Sequence, residues 1–140
     1  MHPILRYILA ILLGIIAGMA VNMGIILVSG HIIPPPAGAN LTTEAGIKAA
    51  MHLMEPKHFL MPFLAHAIGT FMGALLAVKI ASIRQMRAAL IIASIFLVGG
   101  ILNVIALPAP LWFNVLDLLV AYLPMGWLAY KLGSKAQTQA

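Results

Sequence analysis

Four long apolar segments are the feature of this sequence that most limits its fold. They cover residues 4–29, 59–80, 88–107 and 111–130. Each is long enough to cross a bilayer as an α-helix, since a spanning helix needs roughly 20 apolar residues. In lipid, a single segment can satisfy its backbone polar groups only as a helix. We therefore predict an all-α, integral membrane four-helix transmembrane bundle, formed by a single domain over residues 1–140.

Composition supports a membrane location and excludes several functional classes. The chain is 63% hydrophobic and 8% charged, whereas soluble domains are about 25% charged. The net charge of +5 does not indicate nucleic-acid binding, because the basic residues flank the apolar segments, where they set orientation in the membrane. We therefore predict the lipid bilayer, and no nucleic acid, as a partner. The absence of cysteine excludes disulfides, thiolate metal ligands and cysteine nucleophiles.

Basic residues also predict the orientation of the bundle, since Lys and Arg accumulate on the cytoplasmic side of short loops. The first apolar run is far longer than the core of a signal peptide, so we interpret it as a retained span. With both termini in the cytoplasm, only Lys48 and Lys57 lie outside. The basic residues then placed inside are Arg6, Lys79, Arg84, Arg87, Lys131 and Lys135. We predict a bacterial inner-membrane protein with an extracytoplasmic loop over residues 30–57.

This loop is predicted to contain an amphipathic helix. Its three consecutive prolines, residues 34–36, cannot continue the first span. The following stretch, LTTEAGIKAAMHLM, has a threonine suited to the N-cap and Glu44 in the first turn. Its apolar stripe consists of Ile47, Ala50, Met51 and Met54. We expect this helix to lie on the outer membrane face or to cap the bundle.

Two features of the spans concern helix packing. Gly14-x-x-x-Gly18 and Gly69-x-x-x-Gly73 are small-residue pairs that let helix backbones approach closely in lipid. They predict packing within one chain or between chains, and hence a homo-oligomer or docking to a larger membrane protein. Pro62 is predicted to kink the second span and to free a carbonyl near residue 58.

Polar side chains within the spans are predicted to form one layer in the outer half of the bundle. At about 1.5 Å per helical residue, His66 lies ~10 Å and Asp117 ~9 Å from the outer boundary. Asp117 is the only acid inside any span. Because an ionisable group at membrane depth is costly, it marks a functional hypothesis. The candidate ligand-binding residues of this layer are His66, Asp117, His58, Asn103, Asn114, Asn22 and Thr70. Alternatively, these groups only form hydrogen bonds between helices.

Metal and cofactor sites have weaker support. His52-x-x-Glu55-x-x-His58, together with His31, supplies candidate ligands for copper or zinc, although Pro56 interrupts the motif. A quinone could stack on Trp112. No catalytic residue is predicted, since the serines lack a nucleophile context and the chain has neither a phosphate loop nor a dinucleotide fingerprint.

Length and four-span layout resemble those of small multidrug transporters, but the first span has no glutamate, only Asn22. The resemblance concerns architecture, which does not confer function. Three functional hypotheses follow. The first is a non-enzymatic protein that binds or conducts a small ligand or proton at an outward-facing polar site containing His66 and Asp117. The second is an accessory subunit of a larger membrane complex with a purely structural polar layer. The third is a metal- or quinone-binding redox protein.

Overall fold

The computed structural model describes residues 1–134, and all regular elements in that range are helical. Lys135, one of the predicted cytoplasmic basic residues, lies outside it. The α-helices are α1 (Pro3–Ile32), α2 (Glu44–Ala50), α3 (Leu60–Ile80), α4 (Gln85–Ala106), α5 (Leu111–Val120) and α6 (Leu123–Gly133). Two 3₁₀ helices, Met51–Leu53 and Pro56–Phe59, join α2 to α3. Four helical stretches are long and apolar enough to cross a membrane, namely Pro3–Ile32, Pro56–Ile80, Gln85–Ala106 and Leu111–Gly133.

The prediction of an all-helical chain with four long apolar stretches is therefore confirmed. The fourth stretch, however, is not one continuous helix as predicted, because it breaks at Ala121 and Tyr122. Pro124 explains the break, since proline has no N–H to donate and its ring would collide with the carbonyl of Val120 in a regular helix. Tyr122, at φ −118° and ψ −83°, leaves the helical region and caps α6.

The predicted kink at Pro62 is wrong. Helix α3 begins at Leu60, so Pro62 lies in its first turn, where a backbone N–H has no partner within the helix and its loss costs little. The loop helix is also shorter than predicted, since α2 ends at Ala50 and the chain continues as a 3₁₀ turn. Its predicted start is confirmed: the Thr43 hydroxyl caps α2 by accepting from the backbone N–H of Gly46 at 3.0 Å.

Helices α1 and α3 are antiparallel and meet at their glycines. A Cβ built on Gly14 would lie 2.7 Å from the carbonyl oxygen of Gly73, and one on Gly18 would lie 2.8 Å from that of Gly69. No side chain fits between backbones this close, so these positions require glycine. The two pairs thus face each other within one chain, and a homo-oligomer formed through them stays a prediction.

The two ends of the bundle are packed differently. We call the end with the N-terminus and the α3–α4 connection the tail end, and the end with residues 33–59 and the α4–α5 connection the loop end. Close to the tail end, small side chains fill the core completely; Ala77, Ala88 and Ile92 are each 0% exposed. Arg6 links α1 to α3 there, because its Nε donates a hydrogen bond to the carbonyl oxygen of Ile80 at 2.5 Å. The loop half of the bundle instead surrounds a cavity.

Candidate ligand-binding site

Three side chains form a hydrogen-bonded triad in the loop half of the bundle. His66 Nδ1 lies 2.8 Å from Oδ1 and 3.0 Å from Oδ2 of Asp117. Because a carboxylate only accepts hydrogen bonds, Nδ1 carries the proton and donates it. The Tyr122 hydroxyl donates to Oδ2 at 2.9 Å. The triad therefore joins α3, α5 and the α5–α6 break around one carboxylate.

Two members of the triad are buried, and His66 is half-buried. Asp117 is 3% exposed and Tyr122 1% exposed. The rings of His66 and Tyr122 stack with centroids 5.8 Å apart, and the Tyr122 ring lies against Gly100 of α4. A Cβ at residue 100 would be 2.6 Å from Cζ of Tyr122, so glycine is required for the ring to fit. Burying a carboxylate is costly unless donors surround it, and here two neighbours supply them.

A cavity of about 780 Å³ borders the triad. Its walls come from α1, α3, α4 and α5, and α2 with the adjoining loop covers it at the loop end. Met23 and Leu27 of α1 line it and remain 54% and 69% exposed, so the cavity is not sealed on that side. Ile47, Met51 and Met54, three members of the predicted amphipathic stripe, also line it. The stripe thus faces the bundle.

The structure brings most of the predicted ligand-binding residues to this cavity. Those that line it are His66, Asp117, His58, Asn22, Asn103 and Asn114. Thr70 does not line it: this residue is fully buried, and its hydroxyl has no hydrogen-bond partner in residues 1–134. Thr70 lies four residues after His66, on the same face of α3, but this position is buried away from the cavity.

The asparagines differ in what they do. Asn114 Nδ2 donates to the carbonyl of Ala109 at 3.3 Å, a local bond at the start of α5. Asn103 is exposed at the cavity wall. The amide oxygen of Asn22 is enclosed and has no hydrogen-bond partner within the described range. An unpaired buried acceptor costs about 1 to 3 kcal/mol, so Asn22 is the least satisfied polar group on the wall.

The candidate metal ligands do not converge. Among residues 1–134, no three His, Cys, Asp or Glu side chains form a group able to hold a metal ion. His58 Nδ1 accepts from the backbone N–H of Glu55 at 2.9 Å, so these two residues cap the 3₁₀ helix that precedes α3. His31 and His52 are exposed. Trp112, the predicted quinone contact, lies edge-on to Phe59 and does not line the cavity.

Surface charges on the loop are locally paired. Lys48 bonds Glu44 at 2.8 Å, and Lys57 bonds Glu55 at 2.8 Å. In both cases the hydrogen bond from the ammonium lowers the pKa of the carboxyl below its usual value. Neither acid lines the cavity, so Asp117 is the only acidic residue on its wall.

Sequence reasoning missed Tyr122 and Gly100 as parts of the site. The position of Tyr122, five residues after Asp117, is on a different face of a regular helix, so only the break at Pro124 lets its hydroxyl return to the carboxylate. The sequence feature from which this break could have been predicted is Pro124, two residues after Tyr122.

The fold and the cavity together define a small helical protein with a hydrogen-bonded carboxylate–imidazole–phenol triad at one end of its bundle. Searches against protein-family models, curated protein sequences and solved structures found no significant match to this chain.

Proposed function

We propose that this chain is an integral membrane protein that binds a small ligand in a cavity in the extracytoplasmic half of its bundle, where His66 and Asp117 recognise the polar group of the ligand. The observation that carries the proposal is the position of the hydrogen-bonded pair His66 and Asp117 on the wall of a cavity of about 780 Å³. Ligand cavities of proteins usually measure about 300 to 1,000 Å³.

The apolar outer surface supports the membrane location. In its most apolar window, α1 is only 11% buried within the chain, at a mean hydropathy of 2.5. Water would strongly disfavour so much exposed aliphatic surface, whereas lipid accommodates it. The distribution of Lys and Arg favours cytoplasmic termini and places the loop end outside. A bacterial inner membrane is the location we propose.

Binding explains the triad better than a purely structural role does. Helices in lipid are held together adequately by close packing and by neutral polar side chains, and here the glycines of α1 and α3 already provide close packing. An ionisable pair adds a cost that stability alone does not require. Because the pair lies beside a cavity, it can contact a ligand bound there.

Binding is also favoured over conduction of a solute through the bundle. The tail half has a core in which Ala77, Ala88 and Ile92 are each 0% exposed. A solute that reached the triad from the loop end would meet this packed layer below. We therefore propose a binding site that is closed toward the tail end.

A cavity-filling variant tests the proposal without knowledge of the natural ligand. Val104 of α4 lines the cavity, whereas Val98 of the same helix is 56% exposed on the outer surface and does not line it. The probe is the fluorescent alcohol 1-naphthylmethanol, and the protein is the full chain in phosphatidylcholine nanodiscs. Val104→Trp should weaken saturable probe binding at least about tenfold, since a filled pocket loses most of its favourable contacts.

Val98→Trp is the matched control, because it adds the same side chain to the same helix outside the cavity. It should bind the probe as the unsubstituted chain does. Equal binding by the unsubstituted chain, Val104→Trp and Val98→Trp would overturn the proposal, because the cavity would then contribute nothing to binding. Empty nanodiscs give the amount of probe that only partitions into lipid.

A further inference from the structure

We propose that the ligand of this cavity is an organic amine, with a protonated amino group near Asp117 and an apolar body among the methionine and phenylalanine side chains of the wall. The inference rests on the proposed function and adds the chemical class of the ligand. It is argued from the charges on the wall, the acceptors of the triad, the apolar lining and the order of polarity with depth.

The charges on the cavity wall have one sign. Asp117 is the only acidic residue there, and no Lys or Arg of the described chain lines the cavity. The basic residues lie elsewhere: Lys48 and Lys57 are paired with surface acids, and Arg6 bonds a carbonyl near the tail end. An anionic ligand would therefore meet a carboxylate with no cation to balance its charge.

The two histidines on the wall do not reverse this sign. His58 Nδ1 accepts a backbone N–H from Glu55. An imidazole nitrogen can accept only when it carries no proton, so His58 is neutral in this arrangement. His66 donates its Nδ1 proton to Asp117. Asp117 is therefore the group on the wall that can carry a negative charge, and its carboxylate attracts a cation.

Asp117 retains acceptor capacity for such a cation. A carboxylate offers about four lone-pair positions. The bonds from His66 Nδ1 and the Tyr122 hydroxyl leave room for a further donor. A protonated primary amine has three N–H donors, and one of them can fill that position.

The rest of the wall suits an apolar body. Met51, Met54 and Met61 line the cavity together with Phe59 and Phe113. Thioether side chains adapt to irregular apolar shapes, and aromatic faces attract cations. A volume of about 780 Å³ is far larger than a metal ion or a proton needs. The cavity is therefore matched to a molecule with an apolar bulk and one cationic end.

The order of polarity with depth separates this ligand from a bilayer phospholipid. The triad lies about 10 Å below the outer boundary, by the helical rise from the start of the second span to His66. Ile47, Met51 and Met54 lie above it, in the cover at the loop end. A phospholipid keeps its charged headgroup at the surface and its chains below. In this cavity the carboxylate of Asp117 is the deep charged group, whereas the polar residues nearer the loop end, such as Asn114, are neutral, which fits an amphiphile whose cationic end lies deepest.

Three naphthalenes of similar size and different charge test this inference. The probes are 1-naphthylmethylamine, 1-naphthylmethanol and 1-naphthoate, titrated at neutral pH against the full chain in phosphatidylcholine nanodiscs, with empty nanodiscs subtracted. We expect the amine to bind at least about tenfold more tightly than the alcohol, since each nearby opposite charge in a site shielded from water strengthens binding substantially. The carboxylate should bind most weakly.

Asp117→Asn tests the origin of the preference. The amide can still bond both His66 and Tyr122, since the ring proton and the hydroxyl can reorient. The variant should lose the preference for the amine and still bind the alcohol. Glu44→Gln is the matched control, because it removes one negative charge from the same side of the bundle and does not line the cavity. It should keep the full preference.

The outcomes distinguish the two proposals. If the amine, alcohol and carboxylate bind equally, or the carboxylate binds most tightly, while Val104→Trp still weakens binding, the amine inference is overturned and the proposed function stands. If Val104→Trp changes the binding of none of the three probes, the proposed function fails and the inference fails with it. The comparison on the unsubstituted chain keeps the test decisive even if Asp117→Asn does not fold.

Discussion

The hydroxyl of Tyr122 donates to Oδ2 of Asp117 at 2.9 Å, across the break that separates α5 from α6. In an unbroken helix, these residues would be five positions and about 140° apart around the axis, too far around for this contact. The break caused by Pro124 is therefore what completes the triad. The same break turns the Tyr122 ring against Gly100, so one local irregularity shapes both the site and its support.

Tyr122→Phe should destabilise the fold moderately. The substitution keeps the ring against Gly100 and removes only the O–H donor to the carboxylate. The expected loss is about 1 to 2 kcal/mol, as for a buried hydrogen bond to a charged group in a helical membrane protein. Reversible unfolding in mixed micelles measures it. Tyr130→Phe is the control, because the Tyr130 hydroxyl makes no hydrogen bond to residues 1–134; an equal loss there would contradict this assignment.

Gly100→Ala should be far more harmful than Gly99→Ala. A methyl group at residue 100 would lie 2.6 Å from Cζ of Tyr122, whereas one at residue 99 would meet nothing within 4 Å. We expect a loss of about 1 to 3 kcal/mol for the first and little change for the second. The same unfolding assay compares them. Because both substitutions are Gly→Ala at consecutive positions of one helix, equal effects would mean that the Tyr122 ring is not held there.

Gly14→Ala should loosen the contact between α1 and α3. The added Cβ would lie 2.7 Å from the carbonyl oxygen of Gly73, and backbone cannot move aside as a flexible side chain can. We expect a loss of about 1 to 3 kcal/mol. Gly24→Ala lies on the same helix with nothing within 4 Å of its added Cβ, and it should be nearly neutral. A neutral Gly14→Ala would show that the two helices are not in close contact at this point.

Single cysteines test the orientation, and the chain suits this because it has no native cysteine. Ala45→Cys lies in α2, and Ser82→Cys lies in the α3–α4 connection; both positions are exposed. With the loop end outside, a membrane-impermeant maleimide should label Ala45→Cys in intact cells and Ser82→Cys only after permeabilisation. The positive-inside rule is the physical reason. The reverse labelling pattern would overturn the proposed topology.

The sequence places His66 and Asp117 at about the same depth in the membrane, and in the structure the two side chains are in contact. Both residues lie on polar faces about 10 Å from the same boundary, and two ionisable groups in an apolar layer are more stable when they meet than when they are separate. The predicted pairing agrees with the 2.8 Å contact between His66 Nδ1 and Asp117 Oδ1. Depth can be counted along each helix from the sequence, so this relationship did not need a tertiary structure.

Other members of the predicted polar layer could not be sorted in this way. Thr70 lies on the same face of α3 as His66, four residues further on, but its hydroxyl is buried away from the cavity. His58 shares the same stripe and instead caps the helix start. Helical periodicity gives the angle of a side chain around its own axis. It does not say which neighbouring helix lies on that side, or at what distance.

The sequence by itself determined the helical class, the four apolar stretches, the cap at Thr43 and the depth of the ionisable groups. These depend on interactions within one segment or between a segment and its solvent, and such interactions can be worked out locally. Only the tertiary structure decided that the glycines of α1 and α3 face each other, that Tyr122 completes the triad and that a cavity adjoins it. Those features depend on how several helices are placed relative to one another. The glycine contacts between α1 and α3 and the break at Pro124 together determine that placement.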